Sequence, residues 1–412
     1  MKGALANYRV LDLSRILAGP WASQMLADFG AEVIKVERPG SGDDTRGWGP
    51  PFIGDDTETE RDAAYFHSAN RGKQSIAIDI TQAEGQQLIR RLVSKSDVVL
   101  ENYKVGGLKK YGLDYDSLKA VNPGLVYCSI TGFGQTGPYS QRAGYDFMVQ
   151  AMGGLMSVTG EGDGMPMKSG VALADVMTGL YAANAIQAAL LYRQQTGLGQ
   201  HIDLGLLDVQ VATLANQAMN YLASGTPPGR LGNAHPNIVP YQAFATADSH
   251  IILAVGNDSQ FGKFCKLAGA PHLASDPAFA SNQARVKNRQ QLVPQIAELL
   301  KAKDSQWWLE KLADAGVPCG PINSLDKVFE DPQVQHRKMQ VELTDDDGQS
   351  IPGVANPIKF SATPVNYTGA SPQLAQHTQK VLKSQLSLSD AEISRLEQQG
   401  VIQSHKHADT GT

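Results

Sequence analysis

The segment YRVLDLSRILAGPWASQMLADFGAEVIKVERPGSGD constrains the fold most, because it changes twice between strand and helix patterns. Apolar residues dominate 9–13 and 32–37, two runs of the length and composition of buried strands. Between them, residues 20–29 are typical of a helix, with Pro20 at its start and Gly30 where it stops. This order predicts a βαβ unit.

The same alternation continues through the first third of the chain. We predict further strands at 75–80, 97–101 and 125–130, and helices between them such as 82–94. Strands that alternate with helices favour a parallel sheet with helices on both faces. The predicted fold class is therefore α/β, with a doubly wound parallel sheet in a large domain.

A change of composition marks the predicted domain boundary. The stretch SGTPPGRLGNAHPNIVP, residues 224–240, has the glycine and proline content of a linker. It is followed by a predicted strand pair in YQAFATADSHIILAVG and by two or three helices up to residue 315. We expect 1–223 to form the first part of the large domain, 241–320 a smaller second domain, and 321–412 a return to the large domain with a C-terminal tail.

Composition excludes several classes of function. The 36 basic and 41 acidic residues give a net charge of −5, so the chain lacks the basic surplus that attracts nucleic acid. Its three cysteines lie far apart, and no HExxH motif occurs among its nine histidines, which predicts neither disulfides nor a metal site. We expect a protein of a reducing compartment, the cytoplasm, without nucleic-acid or metal partners.

No membrane segment is expected either. The N-terminus lacks the apolar core of a signal peptide, and no uninterrupted run of about 18 apolar residues occurs. The nearest candidate, residues 171–191, contains Asp175, Asn184 and Gln187, so a buried helix is the better interpretation.

Asp175 is the one carboxylate in the apolar run GVALADVMTGLYAA. A buried carboxylate without a partner costs free energy or binds a proton, so the residue needs a local or a chemical role. Asp175 can be the N-cap of a long helix that stops at Gly197, since aspartate is common there. It can equally be a reactive anion at the positive end of that helix, and the two interpretations are compatible.

A dinucleotide site is not favoured. GFGQTG, residues 132–137, matches the G-x-G-x-x-G pattern, but Pro138 and YSQRAG follow where a helix should begin. Glycine-rich turns at strand ends still let a ligand approach the backbone, so we expect some ligand at this edge of the sheet.

Basic side chains gather after the predicted strands, although each alone is typical of a solvated surface. Because the carboxyl ends of parallel strands border the ligand crevice, Arg and Lys there suit phosphates or carboxylates. Asn102 and Tyr103 add a hydrogen-bonding group and an aromatic face. The basic residues concerned are Arg38, Arg46, Arg71, Lys73, Lys104, Lys109, Lys110 and Arg142.

Five strings resemble the class III CoA-transferases, the CaiB/BaiF family, and the resemblance runs in order from about residue 8 to residue 364. They are VLDLSRILAGPWASQMLADFGAEVIKVERPGSGDDTR, NRGKQSIAIDI, DVVLENYKVGGLKKYGLDYDSL, CSITGFGQTGPYSQRAGYD and GVALADVMTGLYAA. The resemblance implies a doubly wound large domain, a small domain and a homodimer whose two chains interlock. It implies no permanently bound cofactor, since coenzyme A enters as a thioester substrate.

The resemblance also implies roles for individual residues. Asp175 occupies the position of the family's nucleophile. The positions of the family's coenzyme A contacts carry Arg38, Asn102, Tyr103, Lys104, Lys110, Arg142, Tyr145 and Asp146. Leu17 stands where some members have a glutamine that assists catalysis, and the glycine-rich flap of those members is missing. These departures leave the donors to the oxyanion unassigned.

The chemistry implied is covalent. A carboxylate that attacks a thioester gives a mixed anhydride and a CoA thiolate, which returns after the acids exchange. The related α-methylacyl-CoA racemases instead need two acid–base groups, one of them a histidine where this chain has Tyr145. A third possibility is a non-catalytic acyl-CoA-binding or dinucleotide-binding protein, which the presence of Asp175 disfavours.

Within the family, GDDTRGWGPPF and AHPNIVPYQAF are most similar to the branch that takes CoA from succinyl-CoA to a C5 dicarboxylic acid such as glutarate or 3-hydroxy-3-methylglutarate. The second carboxylate of such an acceptor needs a cationic or strongly donating partner. The resemblance suggests Arg46, Arg71 and His235, with Leu17 beside the reacting groups.

Overall fold

A computed structural model describes residues 3–54, 61–346 and 348–405. The described strands are β1 (Arg9–Asp12), β2 (Glu32–Glu37), β3 (Lys73–Ile78), β4 (Val98–Glu101), β5 (Val126–Thr131), β6 (His201–Gly205), β7 (Tyr241–Ala245), β8 (His250–Ala254), β9 (Cys319–Pro321), β10 (Gln340–Thr344), β11 (Ser350–Val354) and β12 (Ile402–Gln403).

The α-helices begin with α1 (Ala18–Asp28), which follows β1 directly. The others, in chain order, are α2 (Ala64–His67), α3 (Ala83–Val93), α4 (Tyr115–Leu118), α5 (Asp146–Met152), α6 (Leu173–Thr196), α7 (Leu206–Ala212), α8 (Ala215–Ser224), α9 (Asp258–Leu267), α10 (His272–Ser275), α11 (Asn282–Lys287), α12 (Arg289–Leu300), α13 (Ser305–Asp314), α14 (Leu325–Glu330), α15 (Pro332–His336), α16 (Thr378–Leu386) and α17 (Asp390–Gln398). No helix among the described residues is both long and apolar enough to cross a membrane.

The large sheet confirms the predicted α/β class. Its order is β12-β3-β2-β1-β4-β5-β6, and all neighbours pair in parallel except the edge strand β12. The order 3-2-1-4-5-6 is that of doubly wound folds. Neighbouring residues Val10 and Leu11 enter different apolar clusters, which contain α1 and α6 on one face and α3 and α16 on the other. The order in which successive strands are added to the sheet reverses between β1 and β4, and doubly wound folds bind ligands at such a point.

The predicted strands and helices of the first 131 residues agree with the structure to within about two residues, whereas five helices, α9 to α13, precede residue 315 where two or three were predicted. The strand at 32–37 is observed unchanged, and the predicted stops at Gly30 and Gly197 both have positive φ, 98° and 76°. The largest shifts are of two residues: β3 spans Lys73–Ile78 rather than 75–80, and α1 begins at Ala18 rather than at residue 20.

Two compact units divide the described residues. The first contains those of Met1–Gly154, Ser169–Ala215 and Gln333–Thr412, and the second those of Leu155–Lys168 and Asn216–Pro332. Within the second unit, β7, β8 and β9 form an antiparallel sheet, and its apolar core includes Phe264 and Trp308. The predicted division at 224–240 and 320 stays a prediction.

Candidate active site

A cavity of about 440 Å³ lies between β1 and β4, the point where the strand order of the sheet reverses. Its walls come from the segments after β1 (residues 15–18) and β4 (102–111), the end of β5 with the next residue (130–132), residues 140–145, Asp175 of α6 and Leu206 of α7. Because the strands are parallel, their carboxyl ends bring these distant segments to one edge of the sheet. The expected ligand crevice is therefore present.

Close helix packing brings Asp175 to this edge. The α-carbon of Gly179, one turn further along α6, lies so near α1 that a Cβ there would come within 2.8 Å of the Ala18 carbonyl oxygen. Only glycine permits this approach without displacing a helix. Ala18 and Asp175 both line the cavity as a result.

Asp175 is not the N-cap of its helix, so that interpretation is wrong. Helix α6 begins at Leu173, its N-cap is Ala172, and Asp175 lies in the first turn. The capping acceptor is Asp146, whose Oδ1 receives the amide N–H groups of Ala174 at 2.8 Å and Asp175 at 3.3 Å. The Asp175 carboxylate is thus not needed to cap the helix.

Asp146 is fully engaged in this arrangement. Its other oxygen, Oδ2, accepts a hydrogen bond from Gln150 Nε2 at 2.7 Å, and Gln150 Oε1 accepts one from the Ser169 amide at 2.9 Å. Asp146 is not among the residues that line the cavity. It supports the start of α6 rather than facing the cavity.

The environment of Asp175 changes its acidity. Burial, and secondly the negative charge of Asp146, raise the pKa of Asp175 to about 7. A carboxylate with this pKa is a stronger base and nucleophile than an exposed aspartate, whose pKa is about 3.9. Asp175 combines partial ionisation near neutral pH with access to the cavity.

The cavity is cationic on the remaining sides. Arg142 lies over the Tyr139 ring, with its Cζ 4.6 Å from the ring centroid, and Lys110 Nζ lies 4.6 Å from the centroid of Tyr111. Lys104 and Arg15 complete the set. Four cations around one cavity suit a polyanion such as a phosphorylated thioester.

Asn102 lines the cavity and also joins two of its walls. Its Oδ1 accepts the Arg15 amide N–H at 2.9 Å, and its Nδ2 donates to the Arg15 carbonyl oxygen at 2.6 Å. These two bonds join the segment after β4 to the segment after β1. The next residue, Tyr103, lines the cavity, and its amide donates to the buried Glu101 carboxylate at 2.8 Å.

Two further positions predicted to contact coenzyme A differ in placement. Tyr145 lines the cavity and its residue surface is 67 % exposed. Arg38, an exposed residue directly after β2, is not among the residues that line the cavity.

The residues of the first unit that were suggested for the acceptor differ in placement. Leu17 lines the cavity and is only 6 % exposed. Arg46 is buried against Glu37 and Asp62, and neither Arg46 nor Arg71 lines the cavity.

Arg71 and His235 have partners of their own. Both terminal groups of the Arg71 guanidinium fork are used, by the Asp28 carboxylate at 2.6 Å and the Val354 carbonyl oxygen at 2.8 Å. His235 belongs to the second unit, where its Nδ1 accepts the Asn237 amide N–H at 3.0 Å and its ring lies 5.2 Å from that of Tyr241.

The glycines of GFGQTG have a structural use. A Cβ on Gly132 would lie 2.6 Å from the α-carbon of Gly144, and one on Gly144 would lie 2.4 Å from that of Gly132. The segment after β5 and the segment before α5 therefore touch backbone to backbone at the cavity wall. In the part of the chain that the structure describes, no group of three or more His, Cys, Asp or Glu residues is arranged to hold a metal.

Sequence reasoning missed a group of buried charges behind the β1 segment. Lys35 pairs with Asp43 at 2.8 Å, and Lys73 pairs with Asp12 at 3.3 Å, all four side chains being fully buried. Polar residues inside otherwise apolar strands, such as Lys35 in EVIKVE, were the available signal.

Comparison with known proteins identifies the family of the chain. The model of CoA-transferase family III matches residues 5–378. The chain is 54% identical to the succinate–glutarate CoA-transferase of Agrobacterium fabrum, covering 92% of this chain and 95% of that protein. It is 44% identical to the human succinyl-CoA:glutarate CoA-transferase over 98% of this chain and 90% of that one.

A solved structure shows the same architecture. The crystal structure of a CaiB/BaiF family protein from Brucella suis superposes with a TM-score of 0.82 at 54% identity, covering 93% of this chain and 100% of that one. The family model, the sequence identities and the fold agree, and the chain belongs to CoA-transferase family III.

Proposed function

We propose that this CoA-transferase moves CoA from succinyl-CoA to glutarate or a related C5 dicarboxylate through a mixed anhydride on Asp175. The observation that carries the mechanism is a carboxylate with a pKa of about 7 in a cationic cavity, freed from capping by Asp146. The names of the Agrobacterium and human relatives support the choice of donor and acceptor.

The first step forms the anhydride. An Asp175 oxygen attacks the thioester carbonyl carbon of succinyl-CoA, the C–S bond breaks, and the electron pair leaves on the CoA thiolate. The thiolate then attacks the aspartyl carbonyl carbon, so that succinate leaves as its carboxylate and an aspartyl thioester remains. The acceptor carboxylate next attacks the aspartyl thioester and displaces the CoA thiolate, which gives a second mixed anhydride. The thiolate then attacks the acyl carbon of the acceptor, so that the new CoA thioester leaves and Asp175 is restored as a carboxylate.

Each carbonyl attack produces an oxyanion that needs donors. The first amides of α1, at Ala18 and Gly19, have no acceptor within the helix, and Ala18 lines the cavity beside Asp175. Because the Leu17 side chain has no hydrogen-bond donor, backbone amides are the better candidates for stabilising the oxyanion. Loss of one such donor costs about 10²-fold in rate in characterised enzymes.

Racemisation is the rival reaction and has little support from this geometry. It needs a second acid–base group on the opposite face of the carbon. Both oxygens of Asp146 accept hydrogen bonds from the protein, and Tyr145 replaces the histidine. We expect no deuterium from solvent at the α-carbon of 2-methylacyl-CoA, and exchange as fast as CoA transfer would show a racemase.

We also propose that two copies of the chain assemble as an interlocked homodimer. In support, α6 exposes Leu180 and Tyr181, and eleven residues later Leu191 and Tyr192, of which Leu191 is 60 % exposed. Eleven residues are about three helical turns, so these side chains share one face. Light scattering during gel filtration tests the dimer, and an active monomer would contradict it.

The nucleophile is tested by Asp175→Asn and Asp175→Ala, with Asp163→Asn as an exposed control. Both Asp175 variants are expected to lose CoA transfer, while the control keeps it. Hydroxylamine should trap an acyl species whose mass maps to residue 175 in the unmodified protein. Retained turnover by Asp175→Asn would exclude the covalent mechanism.

The acceptor needs its own measurement. Initial rates with succinyl-CoA and glutarate, butyrate or carnitine are expected to be highest with glutarate. Faster transfer to butyrate or carnitine would refute the acceptor and leave the role of Asp175 untouched.

A further inference from the structure

The cavity wall at residues 15–18 has a strained backbone. Ile16 has a φ of 73°, in the left-handed region that glycine normally occupies. For a β-branched residue this conformation is a true outlier, because the Cβ approaches the backbone. Arg15, Ile16, Leu17 and Ala18 all line the cavity.

Buried charges hold this segment from inside the protein. Asp43 Oδ1 accepts the Ile16 amide N–H at 3.3 Å, and Asp43 Oδ2 accepts from Lys35 Nζ at 2.8 Å. Lys35 Nζ also donates to the Ser14 carbonyl oxygen at 2.9 Å. Both ends of the strained turn are therefore bonded to one ion pair whose side chains are 0% exposed.

The Asp43 carboxylate is firmly ionised. Although burial alone would raise the pKa of Asp43, the Lys35 ammonium and hydrogen bonds from Lys35 and Thr45 lower it to about 2. Because the partner Lys35 has a raised pKa, both charges of the pair are present at neutral pH. Asn102 restrains the same segment from the cavity side through its two bonds to Arg15.

Such an arrangement is unfavourable for stability by itself. A fully buried ion pair rarely stabilises a fold more than apolar residues of the same volume, and a left-handed isoleucine adds strain. The buried ion pair lies behind residues 15–18 and the backbone strain lies within them, and these residues form a wall of the cavity whose side chains include no nucleophile. This wall leads directly into α1, so its conformation sets the direction in which the helix begins at Ala18, beside the cavity.

We propose that Lys35 and Asp43 are positioning residues for CoA transfer, which hold the strained turn at Ile16 so that the first amides of α1 face the thioester attacked by Asp175. The inference rests on the proposed function, because it assumes that the acyl group reacts at this wall. Small displacements of such groups are known to lower rates strongly.

The test combines the paired variant Lys35→Met/Asp43→Asn with Ile16→Gly. The paired variant removes both charges together, and Asn keeps an oxygen for the Ile16 amide. We expect a fall in kcat of about 10- to 100-fold, as for displaced catalytic groups, with the Kd for free CoA changed less than about threefold. In the Ile16→Gly background the same pair should lower kcat less than about threefold, because glycine adopts the turn without help.

Equal falls in both backgrounds, or lost thermal stability at unchanged kcat, would overturn the proposal. Should the paired variant fail to fold, Asn102→Ala replaces it in both backgrounds, since it removes two bonds to the segment and leaves no buried charge. Its fall in kcat must likewise shrink in the Ile16→Gly background.

Hydroxylamine trapping separates this inference from the proposed function. If the unmodified protein forms no species at Asp175, the proposed function fails. If it does form one, and the paired variant forms it equally fast in a single turnover, only the positioning role fails.

Discussion

Replacing the reactive carboxylate should make the protein more stable above neutral pH. Asp175→Asn keeps the size and hydrogen-bonding capacity of the side chain and removes an ionisable group whose pKa is raised to about 7 by burial and by Asp146. Between the pKa of the unfolded chain and that of the folded chain, the folded state binds a proton that the unfolded state has released. Stability therefore falls as pH rises through this window.

The size of the effect follows from the two pKa values. Raising the pKa from 3.8 to about 7 lowers the free energy of unfolding by at most about 4 kcal/mol. This loss of stability is complete above pH 7, and there is no loss below pH 4. We expect Asp175→Asn to recover a substantial part of this at pH 8 and almost none of it at pH 4.

The assay is denaturant unfolding of the unmodified protein and Asp175→Asn between pH 4 and pH 8, at one protein concentration. The exposed control Asp163→Asn should change the unfolding free energy by less than about 0.5 kcal/mol at either end. An Asp175→Asn variant that is no more stable than the unmodified protein at pH 8 would refute a buried carboxylate with a raised pKa.

Three further outcomes test other parts of the site. Asp146→Asn should move the acidic limb of kcat/KM to lower pH, because it removes a charge that raises the pKa of Asp175, whereas Asp146→Ala should also lose about 1 kcal/mol of helix capping, measured by unfolding. Gly132→Ala should lower both activity and melting temperature, since its Cβ would lie 2.6 Å from the Gly144 α-carbon, and unchanged values would show that the two segments can separate. Arg71→Gln should cost about 3–5 kcal/mol by leaving Asp28 buried without its cation, with no change in the ratio of rates for glutarate and butyrate; a changed ratio would place Arg71 at the acceptor.

The fold was largely predictable because its strands are short apolar runs separated by amphipathic helices. The errors have local causes. Strand β3 begins two residues early because Lys73 is fully buried, bonded to Asn70 at 2.8 Å and paired with Asp12, which a hydropathy pattern cannot show. Helix α1 begins before Pro20 because proline fits the first turn, where its missing N–H has no helical acceptor to lose.

The site was predictable only in part. Most residues that the resemblance implied line the cavity, namely Asp175, Asn102, Tyr103, Lys104, Lys110, Arg142 and Tyr145. The role of Asp146 as a cap could not be read from sequence, since it lies 28 residues before the Ala174 amide that it receives. Capping rules consider only residues close in sequence to the helix start, so they assign the cap of α6 to Asp175 instead of Asp146.

Leu17 explains why backbone accuracy matters in this chain. Where some members of the family have a glutamine, this chain has a buried leucine that can donate nothing to an oxyanion. Stabilisation of the developing charge then falls to main-chain amides, whose direction depends on the turn at Ile16. A side chain can adjust its rotamer to the substrate, but a helix terminus cannot. We therefore interpret the buried pair of Lys35 and Asp43 as the means of fixing that terminus. Desolvation of the two charges lowers the stability of the fold, and their role in holding the helix terminus explains why they are nevertheless buried there.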